Sequence, residues 1–141
     1  MRFLMLHVDS FGCRITEKGR SKVYEEFEDP ETRVEEALIV LSSVEKGDER
    51  APAVVAEKAV AEIEKLARQL KVSVVVLHPF AHLFGELSTP QVAIEVLQEA
   101  ERQLQERGFS VRRTPFGWFN TLEVKAKGHP ISRVARIVTP D

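Results

Sequence analysis

A helical stripe followed directly by a valine-rich run constrains this chain more than any other feature. Ala56, Ala59, Val60, Ile63, Leu66, Ala67 and Leu70 recur at three- and four-residue steps. They line one side of a helix that opens after Pro52 and ends near Lys71. Val72 to Leu77 then supplies branched side chains that crowd a helix and suit a buried strand. A second helix is expected to start at Ser88 or Thr89 with Pro90 behind it, and to close at Gly108. Its core face is Ala93, Leu97, Ala100 and Leu104. Two apolar helix stripes separated by one buried strand need a sheet face to cover them.

The rest of the chain supplies that sheet. Arg2 to Val8 is continuous and apolar, and Phe11 to Thr16 is expected as a second strand, paired through a turn at Asp9-Ser10. Glu17 to Thr32 is polar and carries Gly19 and Pro30, so it reads as loops with one weak strand at Val23 to Phe27. Glu36 to Val44 reads as a central strand. Phe109 to Arg113, Trp118 to Ala126 and Ile131 to Val138 are the remaining strands, with Leu122, Val124 and Ala126 alternating against Thr121, Glu123 and Lys125. The expected class is α+β: a layered mixed β-sheet with two main α-helices packed on one face. At 141 residues, with 43% hydrophobic and 30% charged side chains, the expectation is one soluble domain with one core. The Thr139-Pro140-Asp141 end is a plausible domain boundary, so the chain can be one module of a longer polypeptide.

The net charge of −2 argues against a protein that grips nucleic acid over a broad surface. The charge is uneven, however: Arg107 to Asp141 carries seven basic and two acidic residues. That basic third is either a local phosphate footprint or a solvated strand face. Cys13 is the only cysteine, which excludes an internal disulfide and a cysteine-based zinc site, and it reads as a strand cysteine. No apolar run approaches the roughly 18 residues that would span a membrane, and no signal peptide opens the chain, so a cytoplasmic location is expected.

Chemistry concentrates in two loops. His78-Pro79-Phe80-Ala81-His82-Leu83 and Thr114-Pro115-Phe116-Gly117-Trp118-Phe119-Asn120 each follow a short apolar strand. Each combines proline, an aromatic and a small residue with a polar side chain near its end, as expected of two rigid loops lining one small pocket. His78 and His82 are four apart, but Pro79 breaks any helix between them, so neither a metal site nor any cofactor is expected. No serine-nucleophile, phosphate-loop or dinucleotide motif is present. His82 is the leading polar candidate, with a structural histidine as the competing reading. Asn120 either orients a water or caps a turn. Trp118 and Phe119 lie on opposite strand faces by alternation, so one of them is expected in the core.

Six segments together resemble the N-terminal editing domain of archaeal threonyl-tRNA synthetases. They are Met1 to Asp9, Ser43-Val44-Glu45-Lys46, Pro79 to Leu83 with Glu86-Leu87, Glu106 to Phe109, Pro115-Phe116-Gly117, and Lys127-Gly128-His129-Pro130. The resemblance implies a fold like that of D-aminoacyl-tRNA deacylases, usually as a homodimer. It also implies hydrolysis of serine wrongly attached to tRNA(Thr). On that basis His82 and Asn120 would orient substrate or water. Val44, Glu45, Phe80, Ala81, Pro115, Phe116, Gly117, Phe119 and Arg133 would bind the acceptor end, with Arg133 reaching a phosphate. The chain departs from many relatives at Phe119-Asn120, where they carry Tyr-Lys, and at Arg133, where they carry an acidic residue. Two other readings stay open: a D-aminoacyl-tRNA deacylase, and a tRNA-binding or dimerising appendage without catalysis.

Overall fold

The computed structural model describes residues 1–141 and contains one six-stranded mixed sheet. Its strands are β1 (Arg2–Lys18), β2 (Glu31–Ser43), β3 (Val74–Pro79), β4 (Ser110–Arg113), β5 (Trp118–Ala126) and β6 (Arg133–Ile137). The helices are α1 (Pro52–Leu70) and α2 (Pro90–Glu106). Strand order is β4-β3-β2-β1-β5, with β6 on the same edge of β1 as β5 but nearer its start. β2, β3 and β4 are parallel because a helix carries the chain back between each pair, whereas β1 runs antiparallel to β2, β5 and β6.

Alternation along the strands divides the core in two. Phe3, Met5, Leu38, Val40, Val75 and Leu77 point toward the helices and meet Val60, Ile63, Leu97, Ala100 and Leu104. The next residues along, Val8, Ala37, Ile39, Leu41 and Val76, form a smaller buried cluster on the opposite face with Phe11 and Cys13. Burial pushes the Cys13 thiol up to about 11, so it stays protonated and inert.

Both helices end as their sequences indicate. Pro90 opens α2 behind Thr89, whose hydroxyl oxygen accepts from the Val92 N–H at 3.4 Å. Gly108, at φ +94°, closes it. α1 ends differently, because Lys71 occupies the left-handed position at φ 59° while the Val72 N–H reaches back to the Ala67 carbonyl at 2.9 Å. A lysine there bears a strain that glycine escapes. Lys71→Gly is therefore expected to raise stability by about 0.5–1 kcal/mol, read as a higher urea midpoint with an unchanged slope.

Four sequence expectations are corrected. There is no turn at Asp9-Ser10: β1 is one long strand. Its register against β2 is continuous from Arg2↔Ser43 to Arg14↔Glu31, while the register against β5 slips between Val8 and Ser10. The extra residue is absorbed as a bulge on the β5 side instead of reversing the chain. Because β1 is long, β2 begins at Glu31 rather than Glu36. Val23 to Phe27 forms no strand; its alternate residues are consumed by contacts with the turn before β5, described below. β3 also runs two residues further than expected, so His78 and Pro79 belong to the strand.

Candidate functional site

The three parallel strands end together, at Ser43, Pro79 and Arg113. Ligand sites in such sheets lie outside the carboxyl ends of the strands, where the connections diverge and leave a crevice. A cavity of about 530 Å³ opens there. One wall is Ser42-Ser43-Val44 and the loop His78 to His82, with Leu87 and Ser88 beyond. A second is Thr114 to Asn120 with Leu122. Ala93 and Leu97 of α2 close the base, and Gly19-Arg20-Ser21 forms the rim after β1.

A polar network holds the strand ends in place. The Phe80 N–H donates to the Ser42 carbonyl at 2.8 Å, and the Ser42 hydroxyl donates to the His78 carbonyl at 3.3 Å. The Ser43 hydroxyl donates to the Phe80 carbonyl. The Thr114 N–H continues the β3–β4 ladder to the Leu77 carbonyl at 3.1 Å, and its hydroxyl lies 2.7 Å from His78 Nδ1. His78 is fully buried, with its ring edge-on to Phe11. Burial lowers its pKa to about 4, so the imidazole is neutral at pH 7. It serves as a neutral hydrogen-bonding strut.

The Pro-Phe-Gly turn is fixed by a partner from the segment that sequence reading took for a weak strand. Glu25 accepts from the Phe116 N–H at 3.1 Å through its carboxylate, which also pairs with Arg113. Its backbone N–H donates to the Phe116 carbonyl at 3.0 Å, and its carbonyl accepts the Trp118 indole N–H at 2.8 Å. Tyr24 and Phe27 stack edge-on against the Trp118 ring. Gly117 sits at φ +95°, and a Cβ there would come within 2.6 Å of Tyr24 Cβ, so glycine is required on both counts. Residues 19–27 thus brace the wall that carries Phe116 to Asn120.

Most of the expected site residues converge. Val44, Phe80, Ala81, His82, Pro115, Phe116, Gly117, Phe119 and Asn120 all line the cavity. His82 is exposed, with its ring edge-on to Phe80 at 5.2 Å. The Asn120 amide donates to the Trp118 carbonyl at 3.3 Å, which leaves its oxygen free. The N–H groups of Ala81 and His82 have no acceptor in the chain, whereas that of Phe116 is spent on Glu25. An oxyanion would therefore find donors at Ala81-His82 and not at Phe116.

Two expected residues lie elsewhere. Glu45 turns away from the cavity and pairs with the Met1 ammonium at 3.5 Å and Arg2 at 2.9 Å. It supports the far loop from below: a Cβ on Gly85 would collide with its carboxylate. Arg133 is on β6 opposite Leu6, outside the cavity wall, with Ser132 as its neighbour. Strand alternation also misled at β5. Neither Trp118 nor Phe119 is core, and Leu122 and Val124 remain 40% exposed.

Sequence reading placed His78 and Thr114 in the two pocket loops without giving either a role, and it missed Gly19 to Ser21 and Ser42-Ser43 as cavity walls. Three buried hydroxyls and an imidazole at the ends of apolar strands were the available signal, since buried polar groups must find partners.

Residues 1–138 match the family described as the archaea-specific editing domain of threonyl-tRNA synthetase. Among similar curated proteins, the threonine–tRNA ligase of Methanopyrus kandleri is 44% identical over 143 residues, covering 100% of this chain and 22% of that protein. That of Methanocaldococcus jannaschii is 42% identical over 136 residues, covering 96% of this chain and 22% of that protein. That of Thermococcus gammatolerans is 41% identical, covering 100% of this chain and 23% of that protein. The chain therefore spans less than a quarter of the length of these relatives. No helix is long and apolar enough to cross a membrane.

Proposed function

This chain belongs to the archaea-specific editing-domain family of threonyl-tRNA synthetase, a proofreading module, and from that premise we propose that it hydrolyses serine mischarged onto tRNA(Thr). The observation that carries the reading is the cavity: about 530 Å³, walled by serines, alanines and glycines alongside Phe80, Phe116, Trp118 and Phe119, with no carboxylate, thiol or lysine on its lining. That space accepts a terminal adenosine with its ester. Two of its polar groups make poor general bases, because burial holds the His78 pKa at about 4 and Asn120 cannot take up a proton, and the His82 imidazole is left to orient substrate or water.

The catalytic group is supplied by the substrate. The 2′-hydroxyl beside the 3′-ester activates a water, which attacks the carbonyl carbon. The carbonyl–O3′ bond breaks, O3′ takes the proton, and free serine leaves. The N–H groups of Ala81 and His82 stabilise the oxyanion, while the His82 ring and the Asn120 carbonyl orient the water and the ribose. Phe80, Pro115, Phe116, Gly117 and Phe119 frame the adenosine. Placement of this kind supplies up to about 7–11 kcal/mol in favourable cases. Val44 and Ala81 shape the side-chain end. The need is physical: one methyl separates serine from threonine and supports only about 10- to 200-fold discrimination in one binding step.

The proposal extends to the assembly, a homodimer, and to the protein's place as one module of a longer chain. The exposed apolar side chains of Val124 and Ile137 favour a second copy along the β5–β6 edge.

The test incubates the chain with L-seryl-tRNA(Thr) and L-threonyl-tRNA(Thr). Fast loss of serine with threonine spared is expected. His82→Ala and Asn120→Ala should each retain activity within about tenfold, against the 10²- to 10⁴-fold loss of a true acid–base group. A loss of that larger size in either variant would defeat the substrate-assisted mechanism, and no acceleration on either ester would defeat the editing reaction.

A further inference from the structure

We propose that Arg20 holds a backbone phosphate of the acceptor strand at the mouth of the cavity, a contact that rests on the tRNA reading above. Arg20 is the only Arg, Lys, Asp or Glu on the cavity lining. Nine of the twelve arginines in the chain sit in ion pairs with carboxylates. Arg20 has no carboxylate within the 4.0 Å that defines such a pair, and its side chain is exposed. The two other unpaired arginines, Arg112 and Arg133, lie off the cavity wall.

The backbone that presents Arg20 is held on both sides. The Gly19 N–H donates to the Gly117 carbonyl at 2.9 Å, and a Cβ on Gly19 would come within 2.8 Å of that oxygen. The Ser21 hydroxyl closes a tight turn, donating to the Val23 carbonyl at 2.6 Å and accepting from its N–H at 3.1 Å. A cation with a fixed base and a free head group is suited to a binding contact more than to a structural one. Lys18, whose ammonium lies 4.0 Å above the Tyr24 ring, and the exposed Lys22 extend positive charge along the same rim.

The substrate's own charges orient the contact. A seryl ester carries an α-ammonium at its reacting end and phosphates on its nucleotide side. A guanidinium repels the first and forms paired hydrogen bonds with the second. Arg20 therefore faces the strand leading to the terminal adenosine, and acts as a positioning residue remote from the ester.

The test titrates an acceptor-stem minihelix bearing a non-hydrolysable 3′-seryl amide into wild type, R20A and R20K over a range of salt. R20A should bind about tenfold more weakly, with its logarithmic salt slope reduced by about 0.7, the value for one single-strand phosphate. R20K should recover most of the slope. On the seryl ester, R20A should raise KM and leave kcat unchanged. Wild-type affinity and slope in R20A would overturn the proposal, as would a kcat loss with an unchanged slope, or wild type that fails to bind the minihelix. Wild type that binds with an Arg20-dependent slope yet leaves the ester intact would defeat the editing reaction and leave this contact standing.

Discussion

Asp48→Ala is expected to cost about 3–5 kcal/mol of stability, the characteristic loss when one partner of a buried ion pair is removed. Asp48 is 2% exposed, and its carboxylate takes the Met1 ammonium at 2.7 Å and the Glu45 N–H at 2.7 Å. The ammonium itself donates to the Val138 carbonyl at 2.8 Å. One carboxylate thus joins the start of β1, the turn after β2 and the end of β6. Without it the ammonium stays buried with Glu45, at 3.5 Å, as its only carboxylate. The damage should reach the site as well. The same turn carries the Lys46 N–H to the Glu86 carbonyl at 2.8 Å, and the Val44 carbonyl accepts the Ser88 N–H at 3.0 Å; these bonds hold the far loop. Urea unfolding of Asp48→Ala and Asp48→Asn should rank them below wild type, with Ala the lower. A loss under about 1 kcal/mol in the alanine variant would mean that Glu45 alone neutralises the amine.

Acid should remove about 3 kcal/mol through His78. In the unfolded chain its imidazole takes a proton near the ordinary value of 6.5, whereas burial holds the folded form at about 4. Between those values the unfolded state binds more protons, so stability falls as pH falls through that window and is level above it. The His7 pKa is also lowered, first by burial and then by His129, whose ring nitrogen lies 2.8 Å away, so it tilts the curve the same way. Comparison with His78→Gln isolates the larger contribution. The variant should lose stability at pH 7 through poorer packing against Phe11, but its urea midpoint should vary much less between pH 4 and 6.5. Parallel curves for the two proteins would show that the His78 site admits a proton without cost.

The parts of the fold that were legible share one property: their signals are periodic and local. The α1 stripe, the α2 start at Thr89-Pro90 and the valine run of β3 each repeat a spacing that a short window resolves. Residues 19–27 were not legible, because what orders them is not a period. Glu25 is held by a turn more than ninety residues away, and nothing in its own neighbours announces that. The bulge at Asp9-Ser10 was hidden for a related reason. A turn and a bulge both break alternation, and only a continuous partner in β2 distinguishes them.

The candidate site divides along the same line. The residue types and spacing of His78 to Leu83 and Thr114 to Asn120 were enough to mark two rigid loops that share a pocket, and the likeness of six segments was enough to indicate the family. Tertiary structure decided which groups face that pocket. Glu45 lies one residue after a lining residue, yet it turns to the Met1 ammonium because a buried cation must be neutralised. Arg133 follows β6 to the start of β1, opposite Leu6, away from the stretch of β1 that pairs with Phe119 and Asn120. Arg20, in a segment that sequence alone leaves featureless, is brought to the rim by the bond between Gly19 and Gly117. Sequence by itself determined the elements and the chemistry available to them, since both depend on local geometry and side-chain type. The address of each charge was settled by long-range pairing and the cost of burying it unpartnered, which no local window contains.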